Sequence, residues 1–188
     1  MGLSEQFNKN GYVLLKKLIP EPLCDLVVLT AMLSSSMNSL GDSDVVEGGS
    51  VDSYGSPHGD ALLVMVKDTL EMHGFGDLLP TYSFFRTYEK GSLLKEHLDR
   101  PSCNTSVSVA LSQNNWQFNC VGFNGEEVTL SLDKGDAVLY YGESILHSRK
   151  NPLEDELSHH IFLHYVPNTS EYQKYLFDGR DGLGLPAI

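Results

Sequence analysis

RTYEKGSLLKEHLD, residues 86–99, places a histidine and an aspartate two positions apart at the end of a strand-like run. On a β-strand, residues i and i+2 share a face. The ring nitrogen of His97 and the carboxylate of Asp99 can therefore converge on one ion. A second stretch, KGDAVLYYGESILH (134–147), runs from a Gly-Asp turn through an apolar strand to His147, 50 residues beyond His97. His97, Asp99 and His147 form a candidate three-ligand metal site. A histidine two residues before an aspartate is common by chance. Its position among short strands, with a second histidine after a turn and strand, gives it weight.

Working outward, residues 81–166 alternate short runs of Val, Tyr, Phe, Thr and Leu with turn residues. Strands are predicted at about 82–88, 94–99, 105–112, 116–122, 127–132, 136–141, 145–149 and 159–166. Eight short strands with regular turn signals, Asn124-Gly125 among them, predict a small double-sheet jelly roll. Residues 1–80 read as a mainly helical support. A strand-like run, GYVLLKKLIP (11–20), comes first. A helix follows near Pro20 and Pro22, where proline is tolerated at a helix start. A second helix is expected over 60–73. Residues 41–60 are rich in Gly, Ser and Asp and read as a long loop, a flap over the substrate. Residues 167–188 read as an outer tail with a loosely ordered end. The predicted class is thus mainly β with flanking helices (α+β), a single domain of 188 residues.

Composition narrows the function. The 25 Asp and Glu against 13 Lys and Arg give a net charge of −12. That balance argues against gripping nucleic-acid phosphates or an anionic membrane surface. The apolar runs are too short to span a bilayer, and the first residues lack the pattern of a secretory signal. Three cysteines without CxxC spacing read as free thiols in a reducing, cytoplasmic setting. Oligomeric state is not legible.

Two imidazoles and one carboxylate on one side of a metal, with the other positions open, are the donor set of non-haem Fe(II) oxygenases. In keeping with this, residues 86–99 resemble the Tyr–x–x–Gly…His–x–Asp stretch of the 2-oxoglutarate/Fe(II)-dependent dioxygenases, in prolyl 4-hydroxylase-like and AlkB-like texture. KGDAVLYYGESILH resembles the segment before their distal histidine. SHHIFLHYV (158–166) resembles their last core strand, and FNKNGYVLLKKLIPEPLCDLV (7–27) is similar to the strand and helix before many such cores. The resemblance implies a double-stranded β-helix with Fe(II) held by His97, Asp99 and His147. It implies 2-oxoglutarate and O₂ as cosubstrates, and hydroxylation of a small molecule or an amino-acid side chain, free or in a peptide.

One departure stands out. The family usually begins its last core strand with an Arg or Lys that holds the distal carboxylate of 2-oxoglutarate. Here that stretch is Leu157, Ser158, His159 and His160. Three substitutes are available. Arg149 shares strand parity with His147. Arg86 shares a face with Tyr88, whose AlkB-like counterpart meets the cosubstrate. A protonated His160 or His159 is the third. Arg100, just past Asp99, is a candidate for an acidic substrate group. Two other functions compete: a non-catalytic jelly-roll binding module, and a cupin-like metal enzyme that does not use 2-oxoglutarate.

Overall fold

The computed structural model describes residues 2–34 and 44–184. Among the described residues three α-helices flank the sheets: α1 (Leu3–Asn10), α2 (Glu21–Leu33) and α3 (Pro57–Met72). Gly11 ends α1 at φ +81°, with its N–H donated to the Phe7 carbonyl. A side chain there would be strained by this backbone and would strike Ile145. The prolines of α2 sit where expected, with Pro20 as N-cap and Pro22 in the first turn. Ser56 caps α3, its hydroxyl accepting the Gly59 N–H, and Pro57 follows.

The strands are β1 (Tyr12–Leu15), β2 (Val46–Glu47), β3 (Ser50–Tyr54), β4 (Leu78–Glu89), β5 (Leu93–His97), β6 (Thr105–Ala110), β7 (Phe118–Val121), β8 (Glu127–Leu130), β9 (Ala137–Tyr141), β10 (His147–Arg149) and β11 (Leu157–Pro167). They form two antiparallel sheets. The larger has the order β1-β9-β6-β11-β4-β3, the smaller β2-β5-β10-β7-β8. This is the double-stranded β-helix with flanking helices. Among the described residues no helix is long and apolar enough to cross a membrane.

The larger sheet is buried on both faces along most of β4, β6, β9 and β11, with apolar residues on one face and many polar ones on the other. One face carries Phe85, Val107, Leu139, Ile161 and Leu163 against Leu62, Leu63, Val66 and Leu70 of α3. The other faces the smaller sheet. There the register places Tyr88 beside Ser158, Arg86 beside His160, Phe84 beside Phe162, and Tyr82 beside His164. These even-numbered residues line the barrel interior in successive layers.

Two expectations need correction. The segment read as a long loop, 41–60, holds β2 and β3 within its described part, residues 44–60. Each extends one sheet at its edge, β2 on β5 and β3 on β4. Backbone pairing with an existing strand overrides the local Gly and Ser content. The chain end read as loosely ordered is pinned as far as the described residues reach. Arg180 is buried against Asp60, Nη1 to Oδ2 at 2.8 Å, and also donates to the carbonyls of Thr81, Gly55 and Phe177. Asp60 accepts the Ser83 N–H and hydroxyl and the Gly184 N–H. The tail thus ties α3 to β4.

Breaking a buried ion pair by removing one partner leaves the other charge unpaired and costs about 3–5 kcal/mol. Arg180→Ala is therefore expected to lower unfolding stability by that amount in urea titration. A change within about 0.5 kcal/mol, the range of ordinary surface substitutions, would show that the tail is not structural.

Candidate metal centre

The two histidines are brought together by sheet pairing. β10 lies between β5 and β7, and His147 stands directly opposite His97 in the register. Asp99 follows β5, and its backbone N–H donates to the Gly142 carbonyl at 2.9 Å. The Nε2 atoms of His97 and His147 each lie 3.7 Å from Asp99 Oδ1. All three ligand atoms fall within 4.8 Å of one another. One ion with bonds of about 2 Å fits among them.

Proton placement is fixed by the backbone. His97 Nδ1 lies 2.8 Å from the Lys95 carbonyl, and His147 Nδ1 lies 3.0 Å from the Ile145 carbonyl. A carbonyl only accepts, so both Nδ1 atoms carry the proton. Both Nε2 lone pairs then face Asp99, as metal ligation requires. Burial lowers the His147 pKa and keeps that ring neutral and ready to bind. Phe118 stacks on the His147 ring at 5.7 Å, and Tyr140 lies at 4.5 Å from it.

Two positioning residues gave no signal in the sequence. Ser106 Oγ lies 3.1 Å from Asp99 Oδ2, 2.9 Å from the Cys103 carbonyl and 2.9 Å from His164 Nδ1. The hydroxyl has one proton, and its first two neighbours can only accept. The satisfied arrangement has His164 donating to Ser106 and Ser106 donating onward. His164 is held neutral, its pKa pushed down to about 4 by burial. Its Nε2 is then an acceptor on a ring that borders the cavity. Gly142 is the second. A Cβ there would overlap the Cys103 carbonyl oxygen and the Asp99 carboxylate. Only glycine lets β9's end approach the ligand this closely.

The triad opens into a cavity of about 330 Å³. Arg86, Tyr88 and Arg100 border it, together with apolar side chains that include Phe84, Leu94 and Phe162. The candidate cations differ in their surroundings. Arg86 is held by a two-point bond to Asp52, 2.6 and 2.8 Å. Arg100 donates to Asp178 at 2.7 Å and lies over the Tyr82 ring. Arg149 is only 1% exposed. It donates to the Trp116 carbonyl and to His160 Nδ1, packs over the Trp116 and Phe118 rings, and keeps a buried Nε with no partner. No carboxylate among the described residues neutralises it, and desolvation pushes its pKa down to about 10. The nearby Tyr88 hydroxyl is fully buried and makes no well-formed hydrogen bond.

His160 is not the cation considered above. Arg149 donates to its Nδ1, its Nε2 lies 2.8 Å from Ser158 Oγ, and burial followed by the Arg149 charge drives its pKa well below the usual value. It is a neutral relay. His159 faces the other way and bonds Thr87 Oγ1. Burial lowers its pKa too.

Gly142→Ala is expected to weaken Mn(II) binding at least about tenfold, the range seen when groups supporting metal ligands are altered. His97→Ala, Asp99→Ala and His147→Ala should each weaken it further with the fold intact. Anaerobic calorimetry measures both. Parent-like affinity in all three ligand variants would remove the site.

No family model matches the sequence, and no curated protein matches it either. Solved structures do resemble the fold. A prolyl-4-hydroxylase from Pseudomonas putida superposes with a TM-score of 0.66 at 16% identity, covering 86% of this chain and 96% of that one. The non-haem α-ketoglutarate-dependent epimerase SnoN from nogalamycin biosynthesis gives 0.73 at 14%, covering 89% and 82%. HygX from Streptomyces hygroscopicus, with nickel and 2-oxoglutarate bound, gives 0.69 at 12%, covering 88% and 86%. With a His-Asp-His triad at the mouth of its barrel, the chain has the fold of the 2-oxoglutarate/Fe(II) oxygenases.

Proposed function

We propose that this protein is an Fe(II)- and 2-oxoglutarate-dependent oxygenase that oxidises a small molecule or an amino-acid side chain. The observation that carries this reading is Arg149: a buried guanidinium without a carboxylate, beside an orphaned Tyr88 hydroxyl, two residues from a metal ligand. Burying an unpaired charge is costly, and a bound dicarboxylate offsets that cost. His147 and Arg149 both pack against the Phe118 ring, at 5.7 and 5.8 Å, which puts the candidate metal ligand and the guanidinium on one side of β10.

The donor set of His97, Asp99 and His147 suits Fe(II). Bound there, iron with 2-oxoglutarate and O₂ supplies the oxidation of a substrate C–H bond, coupled to conversion of 2-oxoglutarate into succinate and CO₂. The protein's part is geometric and electrostatic. His97 and His147 present unprotonated Nε2 atoms, Ser106 and Gly142 hold Asp99 in place, and Arg149 and Tyr88 offer donors to the distal carboxylate. Arg149 fills the role left vacant at the start of β11. That vacancy was the support for a non-catalytic module or a cupin-like enzyme without this cosubstrate. Arg86 is the lesser anchor because Asp52 already occupies it. The buried free cysteines Cys24, Cys103 and Cys120 suit a reducing, cytoplasmic setting.

Removing one partner of a buried charged hydrogen bond costs about 2–5 kcal/mol, or roughly 30-fold and upward in affinity. Arg149→Ala should weaken 2-oxoglutarate binding to the Mn(II)-loaded protein by at least that factor, with metal affinity unchanged. Arg86→Ala should weaken it less. Calorimetric titration separates the two. Parent-like 2-oxoglutarate affinity in Arg149→Ala would place the anchor elsewhere.

A further inference from the structure

The charged groups around the cavity are already paired. Asp52 takes Arg86 at two points. Asp178 takes Arg100, and the same Oδ2 accepts the Tyr54 hydroxyl. Asp178 is well placed for this. Its side chain is 12% exposed, against 53% for Arg100, so the acid is the fixed member of the pair. It stands at φ +55°, next to Phe177 at +53°. Two consecutive non-glycine residues in the left-handed region are unfavourable unless the surroundings hold them. Arg180, two residues on, is the buried clamp to Asp60. The chain end is thus bent and pinned so that one carboxylate meets Arg100 at the cavity rim.

The cosubstrate reading completes the charge balance. The metal and Arg149 are matched by Asp99 and the two carboxylates of 2-oxoglutarate. No charged group among the described residues around the cavity is left for a substrate. What remains is apolar wall, including Phe84, Leu94, Leu98 and Phe162, with the unprotonated Nε2 of the His164 ring at its border. A charged ligand entering here loses its hydration and gains no opposite charge. A hydroxyl or N–H donor meets an acceptor.

We propose that the cavity selects an uncharged, largely apolar substrate carrying a hydroxyl or N–H donor, and that Asp178 enforces this by occupying Arg100. The proposal rests on the oxygenase reading of the same cavity. It reverses the sequence expectation that Arg100 meets an acidic substrate group. Asp178 acts through Arg100 and is a selectivity-determining, positioning residue.

Three probes of one shape test it: 3-phenylpropan-1-ol, 3-phenylpropylamine and 3-phenylpropanoate. Each is added to the full chain loaded with 2-oxoglutarate and either Mn(II) or diamagnetic Zn(II). Paramagnetic relaxation of the probe protons reports binding near the metal at weak affinity. In the parent protein the alcohol should be relaxed most, and the amine and carboxylate several-fold less. Asp178→Asn keeps an acceptor for Tyr54 and a residue type that tolerates the left-handed backbone. It removes the charge that neutralises Arg100, and carboxylate binding should rise roughly tenfold, the scale of one charge-assisted bond. Adding Arg100→Gln should abolish the gain. A parent protein that already takes the carboxylate as well as the alcohol would overturn the proposal. So would an Asp178→Asn variant with an unchanged order of preference. Failure of Mn(II) or 2-oxoglutarate to bind is read separately by calorimetry. It would overturn the oxygenase reading and the proposal together.

Discussion

A guanidinium buried in a β-barrel without a carboxylate is the constraint around which the interior is arranged. Arg149 gives up its hydration and recovers part of the loss from the Trp116 carbonyl, from His160 and from the faces of Trp116 and Phe118. Each partner is itself fixed. Because Arg149 only donates, His160 must accept at Nδ1, so its proton sits on Nε2 and points at Ser158. Ser158 accepts that proton and also a bond from Asn114. Trp116 donates its indole N–H to the Asn151 carbonyl. The network satisfies its neutral members and leaves the cation's Nε and the Tyr88 hydroxyl unspent. A site built only for stability would carry a carboxylate there, as Arg86 does with Asp52 and Arg180 with Asp60.

The two ends of the barrel interior are kept apart by strand register. Along β4 the inward residues run from Tyr82 through Phe84 and Arg86 to Tyr88, and β11 answers with His164, Phe162, His160 and Ser158. The His164 end carries Ser106 and Asp99, and so the candidate metal site. The His160 end carries Arg149. A slip of one residue in the β4–β11 pairing would turn this whole polar file into the apolar core under α3 and expose Phe85 and Ile161 to the cavity. The long pairing of these two strands, unbroken from Leu157 to His164, therefore guards the site as well as the stability.

Much of this was legible in the sequence, for physical reasons that differ by residue. The triad could be read because strand parity is a local rule: His97 and Asp99 sit two apart, and His147 follows a turn and a strand. The eight core strands were legible from turn residues between β-formers. Strand parity already put Arg149 first among the candidate anchors; which arginine lacks a neutralising carboxylate was not legible, because that depends on partners far along the chain. Asp52 lies 34 residues before Arg86, in a segment whose Gly and Ser content hides an edge strand. Asp178 lies 78 residues beyond Arg100, in a tail whose composition suggests looseness. Gly142 and Ser106 gave no sign, since close approach and shared protons exist only in three dimensions.

The central claim is that Arg149 is held in the barrel for the far carboxylate of 2-oxoglutarate. A crystal structure of the protein grown with Mn(II) and 2-oxoglutarate tests it most directly. The account predicts the metal on His97, Asp99 and His147, and the distal carboxylate within hydrogen-bond distance of Arg149 and the Tyr88 hydroxyl, with the Arg86–Asp52 pair intact. A cosubstrate bound to Arg86 with Asp52 displaced, or a metal-loaded barrel with no diacid beside Arg149, would contradict it.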